Sequence, residues 1–262
     1  MSIKSRAFVS FDGLCRYHCK HCFSYDVVQP NPPRTIEQIV ASIQNDHFDV
    51  VYVSQKKENF IEPDEGLSLC EQIFSRYNCH IVIITRNIFD VEHQKRLKNL
   101  YNRMQMNNKQ LFVGISLVGL VSSDFSEQRN QIPAPEERIR FAVELYQQGI
   151  PSMLLIRPLF PAHIIPLSEL KSIVDKVAGN ISCVLSGALM VNEGILNRLG
   201  LCDSDLKYLE GGESEYLDGA IAGSMKFVDV RNEMQQLKEY CNCKGVPFFE
   251  HSLPAINYIN AL

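Results

Sequence analysis

Short apolar runs alternate with longer amphipathic stretches through the first 186 positions of the chain. The runs AFVSF (7–11), DVVYVS (49–54), HIVIIT (80–85), LFVGISL (111–117), PSMLLI (151–156) and ISCVLS (181–186) are mostly rich in β-branched residues and bounded by polar, Gly or Pro positions. Their shortness and their borders predict buried strands. Between them the apolar spacing becomes helical. Thr35 and Gln38 form a capping box ahead of IVASI. Pro63 suits the first turn of a helix reaching about Tyr77. Further helices are predicted over 91–103, from Pro135 to about Gln148 with Gly149 as the stop, and over 167–177. Each connection is long enough for its flanking strands to run parallel. Six strand–helix repeats therefore predict an α/β fold, a parallel sheet wound as an open or partial barrel.

After Ser186 the pattern loosens. Residues 201–224 hold four glycines, with six acids against one lysine between Asp203 and Asp218, which predicts a mobile or covering segment. A helix over 230–243 and a late strand within VPFFEH (246–251) follow. The expected organisation is a barrel core over 1–187 and an extension over 188–262 that covers it in the same compact unit.

Composition narrows the function classes. A net charge of −4 gives no electrostatic footprint for nucleic acid, so a duplex partner is not expected. The basic stretch HQKRLKNLYNR (93–103) reads as the solvated face of an amphipathic helix, with phosphate contact as the alternative. No apolar run reaches the roughly 18 to 20 residues of a membrane span. The start MSIKSRAFVSFDG lacks a secretory h-region, and nine cysteines, an odd number, argue against a disulfide framework. A cytoplasmic protein with reduced thiols is expected.

Three of those cysteines sit within CRYHCKHC (15–22), directly after the first predicted strand. A structural zinc site wants four ligands, whereas a four-iron cube can use three thiolates and leave one iron open. The C-terminal end of a parallel strand is where α/β active sites form. The segment resembles the cluster-binding loop of radical S-adenosylmethionine (SAM) enzymes, whose C-x3-C-x2-C motif follows strand one of a partial (β/α)6 TIM-like barrel. Within that family the chain is similar to the spore photoproduct lyase-like branch. ENFIEPDE (58–65) echoes a pattern after strand two, Thr85-Arg86 stands where the branch has Thr-Lys, and Ser116 matches a strand-four serine. The run 133–162 parallels the branch from helix four to a Pro-x-x-Pro element, and the likeness spans roughly residues 7–180.

The resemblance implies that Cys15, Cys19 and Cys22 hold an oxygen-sensitive 4Fe–4S cluster whose open iron binds S-adenosyl-L-methionine. One electron then cleaves the sulfonium to methionine and a 5′-deoxyadenosyl radical that abstracts hydrogen from a substrate. Arg86 would take the cofactor carboxylate, a role that suits a guanidinium fork. Ser116 would reach the ribose, Ser54 the amino or ribose end, and His21 or Phe23 the adenine. Each also has a plainer reading, as a surface charge, a satisfied core serine or a loop residue. The implied partners are a one-electron donor such as flavodoxin or ferredoxin and a substrate that is a small molecule or a peptide delivered by a partner protein. A non-catalytic cluster or SAM sensor, a nucleic-acid-modifying radical SAM enzyme and a zinc-binding module are the alternatives. The branch's hydrogen-donating cysteine at the end of strand two has no counterpart in VYVSQKK, so thymine-dimer repair by that route is disfavoured. Cys70, Cys79 and Cys183 fall in apolar patterns and read as core; Cys202, Cys241 and Cys243 leave open an auxiliary cluster or zinc site. Arg157, ending the fifth run, points to substrate or to a loop acid.

Overall fold

The computed structural model describes residues 2–27, 32–43, 48–54, 57–127, 132–210 and 225–262. Its strands are β1 (Arg6–Val9), β2 (Val50–Val53), β3 (His80–Thr85), β4 (Leu111–Leu117), β5 (Ser152–Leu159), β6 (Cys183–Ala188), β7 (Met190–Val191), β8 (Lys226–Phe227) and β9 (Phe248–Phe249). Its α-helices are α1 (Ser24–Val27), α2 (Ile36–Ala41), α3 (Pro63–Tyr77), α4 (Val91–Met106), α5 (Pro135–Gln147), α6 (Leu167–Val177), α7 (Glu193–Leu199), α8 (Arg231–Cys243) and α9 (Ser252–Asn260). One parallel sheet runs β1-β2-β3-β4-β5-β6-β9 in spatial order, and β7 and β8 form a separate antiparallel pair. Among the described residues β1 and β9 do not pair, so the barrel is not closed.

Alternation along each strand gives the sheet two apolar faces. Val51, Ile83, Ile115 and Ile156 pack outward with helix residues such as Leu67, Leu97, Leu145 and Ile173. Tyr52, Val82, Met153, Leu155 and Leu185 point the other way and line the interior. The register sets Phe8, Tyr52 and Val82 side by side across three strands. Ile256 and Ile259 of α9 pack with Ile3 into that inner cluster, sealing one end of the barrel. Asn257 fixes the seal: its Oδ1 accepts from the Ile3 N–H at 2.7 Å and its Nδ2 donates to the Ile3 carbonyl at 2.8 Å.

Local chemistry sets the helix ends. Thr35 caps α2 through the reciprocal box with Gln38. Pro63 opens α3, and Asn78 in the left-handed region (φ 44°) closes it. Gly66 lies inside α3 although glycine disfavours helices. A Cβ there would stand 2.4 Å from Cδ1 of Phe60, so the close approach of the β2–α3 connection demands glycine. The first strand ends two residues sooner than its apolar run, because the Phe11 N–H donates to Asn59 Oδ1 and leaves the ladder. Of the acidic tract, 201–210 forms a short 3-10 turn at Asp203–Asp205 and a bridge from Tyr208 to Val228; 211–224 lies outside the described residues.

Candidate functional site

The cysteine loop leaves β1 and folds over the C-terminal ends of the strands. There Cys15, Cys19 and Cys22 line a cavity of about 880 Å3. The Cys22 N–H donates to the Cys19 carbonyl at 3.0 Å, and the Lys20 N–H donates to the Ser126 carbonyl at 2.9 Å. Tyr17 and Ile132 are buried against the three thiols, so the loop's inner side is apolar. His18 stands outside it, exposed at φ 46°, its ring stacked on Tyr25 at 5.2 Å. All three cysteines are free thiols. Burial pushes the Cys15 thiol up and the Cys19 thiol to about 12. Without metal, both rest protonated at neutral pH, so thiolate ligation must displace their protons.

The donor set fits an iron–sulfur cluster. Three thiols with no disulfide among them share an apolar loop and face one cavity, which leaves room on the open side. A cube would take each thiolate at a separate iron. Among the described residues no group of three His, Cys, Asp or Glu side chains is placed to hold a single metal ion, the three cysteines included. The suggested auxiliary site is not assembled. Cys241 is fully buried in the core with its thiol pushed up to about 12, while Cys202 and Cys243 are exposed. Two positions apart on α8, Cys241 and Cys243 face different ways. Cys70, Cys79 and Cys183 are buried in the core.

The other residues singled out in the sequence line the same cavity: His21, Phe23, Ser54, Arg86, Ser116 and Arg157. Ser54 directly follows β2 at φ 77° and its Oγ accepts from the Asn59 N–H at 3.0 Å. Arg157 donates through Nη2 to the Glu250 carbonyl at 3.1 Å. Arg86 donates through Nε to Glu127 Oε1 at 3.1 Å, and its Nη2 stands 3.2 Å from His21 Nε2. Burial opposes its charge, but the Glu127 carboxylate beside it helps hold it protonated. Burial, then Arg86, lowers His21 to about 3. The ring is therefore neutral, and because a guanidinium only donates, Nε2 is the acceptor and Nδ1 carries the proton.

Three further buried groups were not picked out as site residues, although Glu58 opens ENFIEPDE and Arg138 lies within 133–162. Glu127 is gripped by Arg86 and by Arg138, whose Nη2 donates to its Oε2. Burial opposes the Glu127 charge, yet the two guanidiniums win and its carboxyl is held below the usual glutamate range. Arg138 is 1% exposed and also donates through Nη1 to the Ser116 carbonyl at 2.7 Å. Glu58 accepts from the Arg86 N–H at 2.6 Å, the Phe60 N–H at 2.9 Å and Thr85 Oγ1 at 2.9 Å. Burial nevertheless raises its pKa. One network thus runs from His21 through Arg86, Glu127 and Arg138 to Ser116. A sequence signal existed for Arg138, which sits at helical spacing with Ala142 and Leu145, a charge inside an apolar stripe.

On the basic helix α4, Lys95 and Arg103 are exposed, while Arg96 and Lys98 reach neighbouring elements. Arg96 binds Glu71, Asp64 and Ser68, and Lys98 donates to the Gln148 carbonyl at 2.6 Å. Among the described residues no helix is long and apolar enough to cross a membrane.

No protein-family model and no curated protein sequence matches the chain. Solved structures match it by fold. A cysteine-to-serine variant of spore photoproduct lyase superposes with a TM-score of 0.62 at 12% identity, over 96% of this chain and 79% of its own. SuiB from Streptococcus suis, bound to S-adenosylmethionine, gives 0.55 at 12% identity over 96% of this chain and 48% of its own. A radical SAM methyltransferase from Sphaerobacter thermophilus gives 0.58 at 10% identity over 95% of this chain and 67% of its own. The chain has the fold of spore photoproduct lyase and of these radical SAM proteins, an α/β parallel sheet left open as a partial barrel.

Proposed function

We propose that this chain is a radical S-adenosylmethionine enzyme. The observation that carries the proposal is convergence: Cys15, Cys19, Cys22, His21, Phe23, Ser54, Arg86 and Ser116, scattered over a hundred positions of sequence, line one cavity at the strand ends. Cys15, Cys19 and Cys22 would hold a 4Fe–4S cluster at that cavity. Bound there with SAM, the group would supply one-electron chemistry that cleaves the sulfonium and takes hydrogen from a substrate.

The chain's own residues bind, orient and exclude water. Arg86, fixed at Nε by Glu127, presents its remaining donors to the SAM carboxylate. Ser116 and Ser54 serve the ribose and the amino end. His21 is engaged edge-on with Arg86, which leaves Phe23 as the better surface for adenine. Apolar Val82, Met153, Leu155 and Leu185 keep the deeper part dry, where a radical is protected from quenching. The volume is in the range of a small-molecule site, about 300–1,000 Å3, which favours a small molecule or the tip of a partner-delivered peptide. The inward pairing of α4's Arg96 and Lys98 counts against a duplex substrate. The electron would come from a flavodoxin- or ferredoxin-like donor.

The test is 5′-deoxyadenosine formation by anaerobically reconstituted protein given SAM and dithionite. Wild type forms the product, and Cys19→Ala forms none. A cluster-loaded wild type that never forms it, with dithionite or with a flavodoxin system, contradicts the proposal.

A further inference from the structure

The cluster-binding loop is held from outside by one side chain of the C-terminal extension. Arg198, on α7, donates through Nε to the Lys20 carbonyl at 3.1 Å and through Nη2 to the Cys22 carbonyl at 3.0 Å. It also pairs with both oxygens of Asp26, at 2.8 Å each. Its guanidinium lies 5.9 Å from the centre of the Tyr25 ring, and the Tyr25 hydroxyl donates to the Cys15 carbonyl. Backbone carbonyls of two of the three thiol residues, and of one residue between them, are thus tied to one cation and the ring beneath it.

The contact is built for close approach. A Cβ on Gly194 would stand 2.6 Å from Asp26 Oδ1 and 3.3 Å from Arg198 Nη1, so glycine lets the start of α7 press on the ion pair. Asn192, the N-cap of α7, accepts from the Ile195 N–H at 2.8 Å and fixes the helix that carries Arg198. The Asp26 bond, then the Asp26 charge, strengthens the hold of Arg198 on its proton, so a cation stands on the Cys22 carbonyl.

We propose that Arg198 is a positioning residue that fixes the cluster loop and favours uptake of an electron by the cluster held there. The role in reduction rests on the reading that Cys15, Cys19 and Cys22 ligate a 4Fe–4S cluster; the role in fixing the loop does not. The step is the addition of one electron from an external one-electron reductant, with no bond made or broken. The reduced cluster carries one more negative charge, so a nearby cation and N–H donors on the loop carbonyls stabilise it over the oxidised form. Asp26 opposes that field from the other side of the ion pair. Arg198 and Asp26 therefore act with opposite signs, which a purely mechanical clamp does not produce.

Potentiometric titration read by electron paramagnetic resonance tests this in reconstituted wild type, Arg198→Met, Arg198→Lys and Asp26→Asn. At a poise near the wild-type midpoint, the reduced-to-oxidised ratio falls roughly tenfold in Arg198→Met and rises in Asp26→Asn, with Arg198→Lys close to wild type. Coincident potentials, or shifts of one sign in both Arg198→Met and Asp26→Asn, overturn the electrostatic role. In the cluster-free protein, amide hydrogen exchange over residues 19–26 quickens in Arg198→Met, and unchanged exchange there overturns the clamp. A wild type that assembles no cluster refutes the cluster reading and the role in reduction together, while the exchange measurement still decides the clamp.

Discussion

Arg86 is half-buried and Arg138 fully buried, and their consequences differ because their partners differ. Arg86 has one edge on Glu127 and His21 and the cavity before it. Replacing it with methionine removes the cation without filling the space with charge, and SAM binding to reconstituted protein is expected to weaken roughly tenfold or more. Equilibrium dialysis measures this, with methylthioadenosine, which lacks the amino-acid tail, binding as before; equal loss of both ligands would assign Arg86 a structural role instead. Arg138 has no access to the cavity and spends itself on Glu127 and Ser116. Arg138→Met leaves the buried Glu127 carboxylate with Arg86 as its one remaining cation and should cost about 3 kcal/mol in urea unfolding. The carboxylate itself has a pH signature. Its native pKa is depressed, so its contribution to stability is full above the ordinary glutamate range and is lost as pH falls through the lower native value. The fall of stability with acid should accordingly be shallower in Glu127→Gln than in wild type.

At the scale of elements, α3 shows what the sequence makes plain and what it conceals. Pro63 and Asn78 mark its ends, and the predicted helix from Pro63 to about Tyr77 is the observed one. Gly66 within it reads as a weakness, since alanine is about 1 kcal/mol better in a free helix. The structure reverses that sign, because the Phe60 ring occupies the space of a side chain. Gly66→Ala should destabilise by about 1–3 kcal/mol through overpacking, and a gain in stability would show that the β2–α3 connection yields easily. The six barrel strands were legible from runs of β-branched residues between turn signals, because both faces of a parallel strand are buried. The short helices α1, α7 and α9 were not. Four to nine residues cannot hold a helix by propensity, so their existence depends on tertiary contacts such as Arg198 with Asp26 and Asn257 with Ile3. β5 runs past its apolar run to Leu159 because pairing with β6 resumes at Leu159 after a register shift.

For the whole molecule, the site is a product of topology more than of motif. The cysteine triplet was visible as spacing, and parallel winding brings Arg86 and Ser116 to the same end of the sheet. The residues that fix them, Glu58, Glu127, Arg138 and Arg198, were not picked out as site residues from the sequence and come from four separate connections or helices. Only the fold puts them within reach. Iron and sulfide counted per chain after anaerobic reconstitution decide whether three thiols in this loop hold a four-iron cluster. Wild-type protein is expected to be brown with about four irons and four sulfides per chain, and a Cys15→Ala/Cys19→Ala/Cys22→Ala variant colourless. A wild type that stays colourless, or a triple variant that keeps its iron and sulfide, would contradict it.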